Sequence, residues 1–130
     1  MQFRRVAVML FTDRSGRVLM QDRRSISKAG EEWGFFGGGI EPGETPEQAV
    51  VREIEEELGY TVDGFAPLGV FRYETPLWGR EIHAFTTPLP DTASLRVLEG
   101  DGMAWFSIDE AYRLRLYGLD WVILDALKRR

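Results

Sequence analysis

Glutamate is crowded into one short stretch, Arg52-Glu53-Ile54-Glu55-Glu56-Glu57-Leu58-Gly59-Tyr60. In a helix successive residues turn by about 100°, which puts Glu53, Glu56 and Glu57 within one arc of about 100°. Glu55 points elsewhere and reads as a solvated charge. Val50, Ile54 and Leu58 form the adjacent apolar stripe, whose place is against a core. Like charges three and four residues apart destabilise a bare helix by roughly a few tenths of a kcal/mol per pair. A hard divalent cation reverses that sign, and carboxylate oxygens suit magnesium, with manganese as a substitute. Such ions bridge to phosphates, so phosphate chemistry is the expectation. An acidic face turned to solvent fits the three glutamates alone equally well.

The elements that must hold this cluster are legible around it. Thr45-Pro46-Glu47-Gln48 combines a capping threonine, a proline at the first helical position and a glutamine three residues past the cap. The spacing predicts a helix over 46–58, stopped by Gly59. Val6 to Phe11 reads as a strand covered on both faces, Asp13 to Gly16 as a turn, and Arg17 to Asp22 as a returning strand. Ser25 to Glu32 is a polar loop. Trp33-Gly34-Phe35-Phe36 is a short apolar piece that runs into Gly37-Gly38-Gly39, read as a glycine-rich loop. Further strands are expected over 67–73, 81–87 and 103–106, with a short helix from Ser107 and a terminal one over 120–128. Strands early and late with helices between them give an α/β or α+β class with a mixed sheet.

Composition narrows the function classes. A length of 130 residues fits one domain spanning 1–130. With 44% hydrophobic and 28% charged residues the chain reads as folded and soluble. Cysteine is absent, which excludes disulfides, thiolate metal sites and a cysteine nucleophile, and suits a reducing cytosol. The net charge of −5 argues against general affinity for nucleic acid. The apolar run Val6–Phe11 is broken by Thr12-Asp13-Arg14, too soon for a leader peptide, and no run approaches a membrane span. A cytoplasmic protein, monomer or homodimer, is the expectation. The single histidine, His83, lies mid-strand and reads as structural, and no G-x4-G-K-[ST] phosphate loop exists.

The spacing around the glutamates is more specific than the cluster itself. Gly38, Glu44, Arg52, Glu53, Glu56, Glu57 and Gly59, with apolar Ile54 and Tyr60, match G-x5-E-x7-R-E-U-x-E-E-x-G-U, where U is bulky and apolar. Seven fixed positions at about 6% each make a chance match on the order of 10⁻⁹ per start site. The chain thus resembles the Nudix hydrolases, MutT-like members included, with the whole box at residues 38–60. The resemblance implies an α/β/α sandwich with a mixed sheet, and magnesium-dependent cleavage of a phosphoanhydride bond in a nucleoside diphosphate linked to another group. It assigns the metal to Glu53, Glu56 and Glu57 with a carbonyl of Gly37 or Gly38. Glu53 is also implied as the general base or its positioner, although other members take the base from a later loop. Arg52 would orient Glu53, and Glu44 would steady the junction of loop and helix. A further metal carboxylate is implied before the last strand, where Glu99 is the first choice and Asp101 the second.

The substrate side is thinner. Phe35 or Trp33 could stack on a base, and Arg23, Arg24 and Arg80 could meet phosphates. Phe36 stands where many family members have proline, which suggests a different pocket floor. MutT-type members read an oxidised guanine with an asparagine near the start of the last helix. Here Gly118-Leu119-Asp120-Trp121 occupies that place, so Asp120 would read a different base edge. Pro76 lies near a proline of ADP-ribose-type members. Nucleoside triphosphates lead, nucleotide sugars and ADP-ribose follow, and dinucleoside polyphosphates come third. A regulatory module that binds nucleotides without cutting them is the alternative of another class.

Overall fold

The structure, a computed structural model, describes residues 2–89 and 91–130. Its elements in chain order are β1 (Gln2–Thr12), β2 (Val18–Asp22), β3 (Trp33–Gly34), β4 (Phe36–Gly39), α1 (Pro46–Leu58), β5 (Ala66–Glu74), β6 (Trp78–Pro88), β7 (Gly102–Phe106), α2 (Ile108–Ala111) and α3 (Asp120–Arg129). One mixed sheet runs β3-β2-β1-β6-β5, with β4 pairing β1 and β7 pairing β2. Among the described residues β1 and β6 are the one parallel pair, and the other strand pairs are antiparallel.

Alternation along β1 feeds two cores. Ala7, Met9 and Phe11 pack with Val50, Ile54 and Leu58 of α1, while Val6 and Leu10 pack with Ile123, Leu124 and Leu127 of α3. A sheet covered on both faces by helices is the expected α/β/α sandwich. The cap of α1 also forms as the sequence dictates. The Thr45 side chain accepts from the Gln48 backbone at 3.1 Å, the Gln48 side chain accepts from the Thr45 backbone, and Gly59 closes the helix in the left-handed region.

Three readings need correction. Gly37–Gly39 is strand, not loop: β4 pairs with β1 in the register Val8↔Gly37, Ala7↔Gly38 and Val6↔Gly39. Glycine disfavours strands in general, but here the two backbones run so close that a Cβ on Gly37 would lie 2.1 Å from the Ala7 carbonyl oxygen. Phe36 is no pocket floor. It is fully buried on the α1 side, edge-on to Phe11 with centroids 6.2 Å apart. β1 also begins four residues before the apolar run, because Gln2 to Arg5 pair with Trp78 to Glu81 of β6 even though all but Phe3 are polar.

Candidate active site

Burial of Val50, Ile54 and Leu58 fixes the roll of α1, and that roll decides where its charges go. Glu57 is carried inward until it is 2% exposed, where one carboxylate oxygen accepts the Gly37 backbone N–H at 2.8 Å. Glu53 is held from the other side. Its carboxyl lies against Gly38 so closely that a Cβ there would sit 2.6 Å away, and Arg52 donates to it at 3.0 Å. Arg52 is the hub of the junction. It also donates to both oxygens of Glu44, at 2.8 and 2.9 Å, and to the Gly39 carbonyl at 3.0 Å. Glu44 in turn accepts the Glu41 backbone N–H. The paired guanidinium, with that N–H, holds the Glu44 carboxyl down to about 2. Glu56 is more exposed than Glu53 and Glu57 and stands beside Glu53, 3.4 Å from the same Arg52 nitrogen that donates to Glu53.

A third wall comes from the segment before β7. Arg96 and Leu98 donate backbone N–H groups to Leu58 and Glu57 at the end of α1, and Asp101 donates to Asp22 at the end of β2. Gly100 makes the turn between them with φ +85°, where a Cβ would meet the Asp22 carbonyl oxygen at 2.8 Å. The fully buried Gln21 donates to the Glu99 carbonyl and accepts from Arg23 at 2.7 Å. The result sets Glu99 in the same cleft as Glu53 and Glu57. Asp101 is spent elsewhere, accepting the Ser25 N–H at 2.7 Å. Desolvation, and then the charge of Glu99, pushes Glu57 up to about 8. Desolvation also raises Glu53, against the pull of Arg52, with Glu56 and Glu99 adding to the rise.

The cleft, about 860 Å³, has a lining of mixed character beyond these carboxylates. Arg23, Phe35, Arg80 and Asp120, singled out from the sequence, all line it. Phe35 is a buried side chain of the α3-side core. Arg23 is held by Gln21 and by Glu31 at 3.1 Å. Arg80 places its guanidinium over the Tyr117 ring, 5.2 Å from the centroid, and its Nε is buried without a hydrogen-bond partner among the described residues. Asp120 opens α3; its carboxyl is enclosed, and that burial pushes it up to about 7. Trp33 lines the cleft as well, its ring set edge-on to Phe106. Arg24 instead binds Asp22, and His83 binds Glu81 at 2.7 Å, both away from the cleft.

Sequence reasoning missed Arg4, Gln21, Glu31 and Tyr117. Arg4 had a signal: extending the alternation of β1 two residues back puts it in phase with Val6, and both line the cleft. Gln21 had none, since an isolated polar residue in an apolar strand does not declare its partners.

Among the described residues no three His, Asp or Glu side chains converge into a closed cation cage. Magnesium does not ask for one: it keeps several waters and takes one or two carboxylates together with substrate phosphates. Hard oxygens of Glu53, Glu57 and Glu99 spread along one wall, beside a glycine whose missing Cβ leaves the backbone open, fit that demand.

The NUDIX domain model matches residues 1–127. The chain is 32% identical over 120 residues to the CTP pyrophosphohydrolase of Escherichia coli (strain K12), covering 92% of this chain and 87% of that one. It is 38% identical over 71 residues, 55% of each chain, to the 8-oxo-dGTP diphosphatase of the same organism. The solution structure of the E. coli ORF135 protein superposes with a TM-score of 0.81 at 29% identity, over 99% of this chain and 91% of that one.

Proposed function

This chain belongs to the NUDIX domain family and is a nucleotide pyrophosphohydrolase, and from that premise we propose that it cleaves nucleoside triphosphates with magnesium. The observation that carries the reading is the lining of one cleft, in which Glu53, Glu57 and Glu99 stand together with Arg4, Arg23, Arg80 and Asp120. A polyphosphate bridged to a base matches that distribution.

Glu53, Glu57 and Glu99 would hold the metal, with Glu56 at the outer rim and a carbonyl of Gly38 beside them. Bound there, magnesium supplies charge neutralisation for the phosphates and a bound water of lowered pKa. Glu53 is suited to take a proton from the attacking water, because its desolvated carboxylate has a raised affinity for one. Arg52 keeps Glu53 aimed, and Glu44 keeps Arg52 in place. Arg23 and Arg80 face the phosphates, and Phe35 offers an apolar wall to the base.

Asp120 supports a base-reading role. A carboxyl near 7 populates both its forms at neutral pH. The acid form donates and accepts side by side, which suits the N3 and amino edge of cytosine; the carboxylate accepts twice, which suits the N1–H and amino edge of guanine.

The test is pyrophosphate release from CTP, dCTP, 8-oxo-dGTP and the ordinary triphosphates, with ADP-ribose and nucleotide sugars assayed by phosphatase coupling, each with and without magnesium. Metal-dependent turnover of a triphosphate is the expected result. Turnover confined to ADP-ribose or sugar nucleotides would overturn the triphosphate assignment, and a folded protein silent on the whole panel would overturn the catalytic one.

A further inference from the structure

In the wall of the cleft two arginines stand side by side. Arg4 of β1 and Arg80 of β6 are register partners in the parallel pair, so both side chains leave the same face of the sheet. Both line the cleft, and neither forms an ion pair among the described residues. The Nε of Arg80 is buried and unpartnered. A terminal nitrogen of Arg4 lies 3.8 Å from the point where a side chain on Gly39 would begin, so the bare glycine leaves room for this guanidinium over the strand β4. Burial and then the charge of Arg4 lower the proton affinity of Arg80, against the opposing pull of Tyr117, Asp120 and Glu31, so the two guanidiniums stand close without an ion pair of their own among the described residues. Such a pair is stable beside a bound anion with several acceptor oxygens.

Which anion follows from the neighbours. Arg80 shares its part of the cleft with Tyr117, on which it lies, and with the enclosed Asp120. The place of the carboxylates is marked by Gly37, whose N–H Glu57 accepts. The Arg4 guanidinium lies over Gly39, two strand residues from Gly37, about 7 Å of backbone. We infer that Arg4 and Arg80 form a clasp for the phosphate next to the nucleoside, the one that stays on the monophosphate product. The inference rests on the nucleotide reading above, but it concerns binding and not cleavage.

Calorimetric titration of the metal-free protein in EDTA separates the two. The probes are CMP and dGMP, each against its parent nucleoside, cytidine or deoxyguanosine. Wild type should bind at least one monophosphate tenfold or more tighter than its nucleoside, the gain of about one charge-assisted hydrogen bond. Arg4→Ala should reduce that preference to under threefold, and Arg4→Lys should restore part of it. Arg4 is exposed at the start of β1, so the variant should keep the wild-type melting temperature. Arg5→Ala, which alters the neighbouring residue bound to Glu81 outside the cleft, should leave the preference whole. In steady state, inhibition by the monophosphate should weaken about tenfold in Arg4→Ala while inhibition by pyrophosphate stays as it was. A wild type without the preference, or an Arg4→Ala protein that keeps it, overturns the clasp. Metal-dependent turnover on the triphosphate panel together with that result would overturn the clasp alone; the preference without turnover would overturn the proposed function alone.

Discussion

Two adjacent glycines should fail in opposite ways when given a methyl group. At Gly38 a Cβ would meet the Cδ, Oε1 and Oε2 atoms of Glu53 at 2.6–2.7 Å, where ordinary contact begins at 3.4 Å. The carboxyl must therefore retreat by about 0.8 Å, and it can, because it is the far end of a flexible side chain with no backbone in the way. The fold should lose less than about 1 kcal/mol, a melting shift of a few degrees at most. A misplacement near 1 Å in a group acting on the reacting water lowers kcat by on the order of 100-fold, or about 2.7 kcal/mol. At Gly37 the added Cβ would lie 2.1 Å from the Ala7 carbonyl and 2.7 Å from the Val8 Cα, in a backbone with φ +145°. Nothing there can give without parting β4 from β1, so about 3 kcal/mol or more of stability should go, near 10 °C in melting temperature. Initial rates with a coupled pyrophosphatase and thermal melts in the same buffer check both. Gly38→Ala with kcat within about threefold of wild type would refute the argument that the position of Glu53 matters, since ordinary substitutions away from the chemistry do no more.

Other consequences follow from the charges. Glu57 sits at about 8 in the fold against an ordinary 4.5, so its contribution to stability is full below 4.5 and is lost as pH rises through 8. Melts of metal-free protein between pH 6 and 9 should show that fall, and Glu57→Gln should flatten it. Glu44 is shifted the other way, to about 2, so its contribution is present above 4.5 and is lost as pH falls towards 2; acid melts of Glu44→Gln should lack that component. Gln21→Leu leaves Arg23 and the Glu99 carbonyl without their buried partner, and should cost about 1–3 kcal/mol in a denaturant titration and raise KM. Asp120→Asn fixes one donor and one acceptor in place of an exchangeable proton, and should change the ratio of kcat/KM between cytosine and guanine triphosphates by about tenfold or more.

The parts of the fold that show in the sequence are those built on local rules. Helix α1 has its cap, first-turn proline, apolar stripe and terminating glycine in consecutive residues, and its bounds agree with the expectation at both ends. What escaped is pairing between distant segments. Gln2 to Arg5 carry one apolar residue, Phe3, too little to extend the run, and they are strand because β6 lies beside them. Gly37–Gly39 reads as loop by composition and becomes strand through close approach to β1. The same division runs through the cleft. The glutamates of α1, Arg52 and Glu44 lie in one contiguous box and were legible as a set. Gln21, Tyr117 and Arg4 reach the cleft from separate elements, and no spacing rule connects them. The helical wheel grouped Glu56 with Glu53 and Glu57 but could not rank their burial; periodicity gives an arc, and packing decides that Glu57 turns inward while Glu56 stays exposed.

The parallel partnership of β1 and β6 bears on how the protein is made. Residues such as Arg5 and Glu81 meet across a separation of 76 positions, and no antiparallel hairpin brings β6 to β1 early. A chain emerging from the ribosome past residue 60 already holds the glutamates of α1 and the glycine strand, yet one edge of its central strand waits for the segment up to Pro88. Until that segment arrives, β1 presents open backbone groups next to apolar Val6, Leu10 and Phe11. Non-local pairing of this kind is slow. The waiting chain is therefore the species most exposed to misassociation, and Arg80 joins Arg4 in the cleft only once that segment has paired.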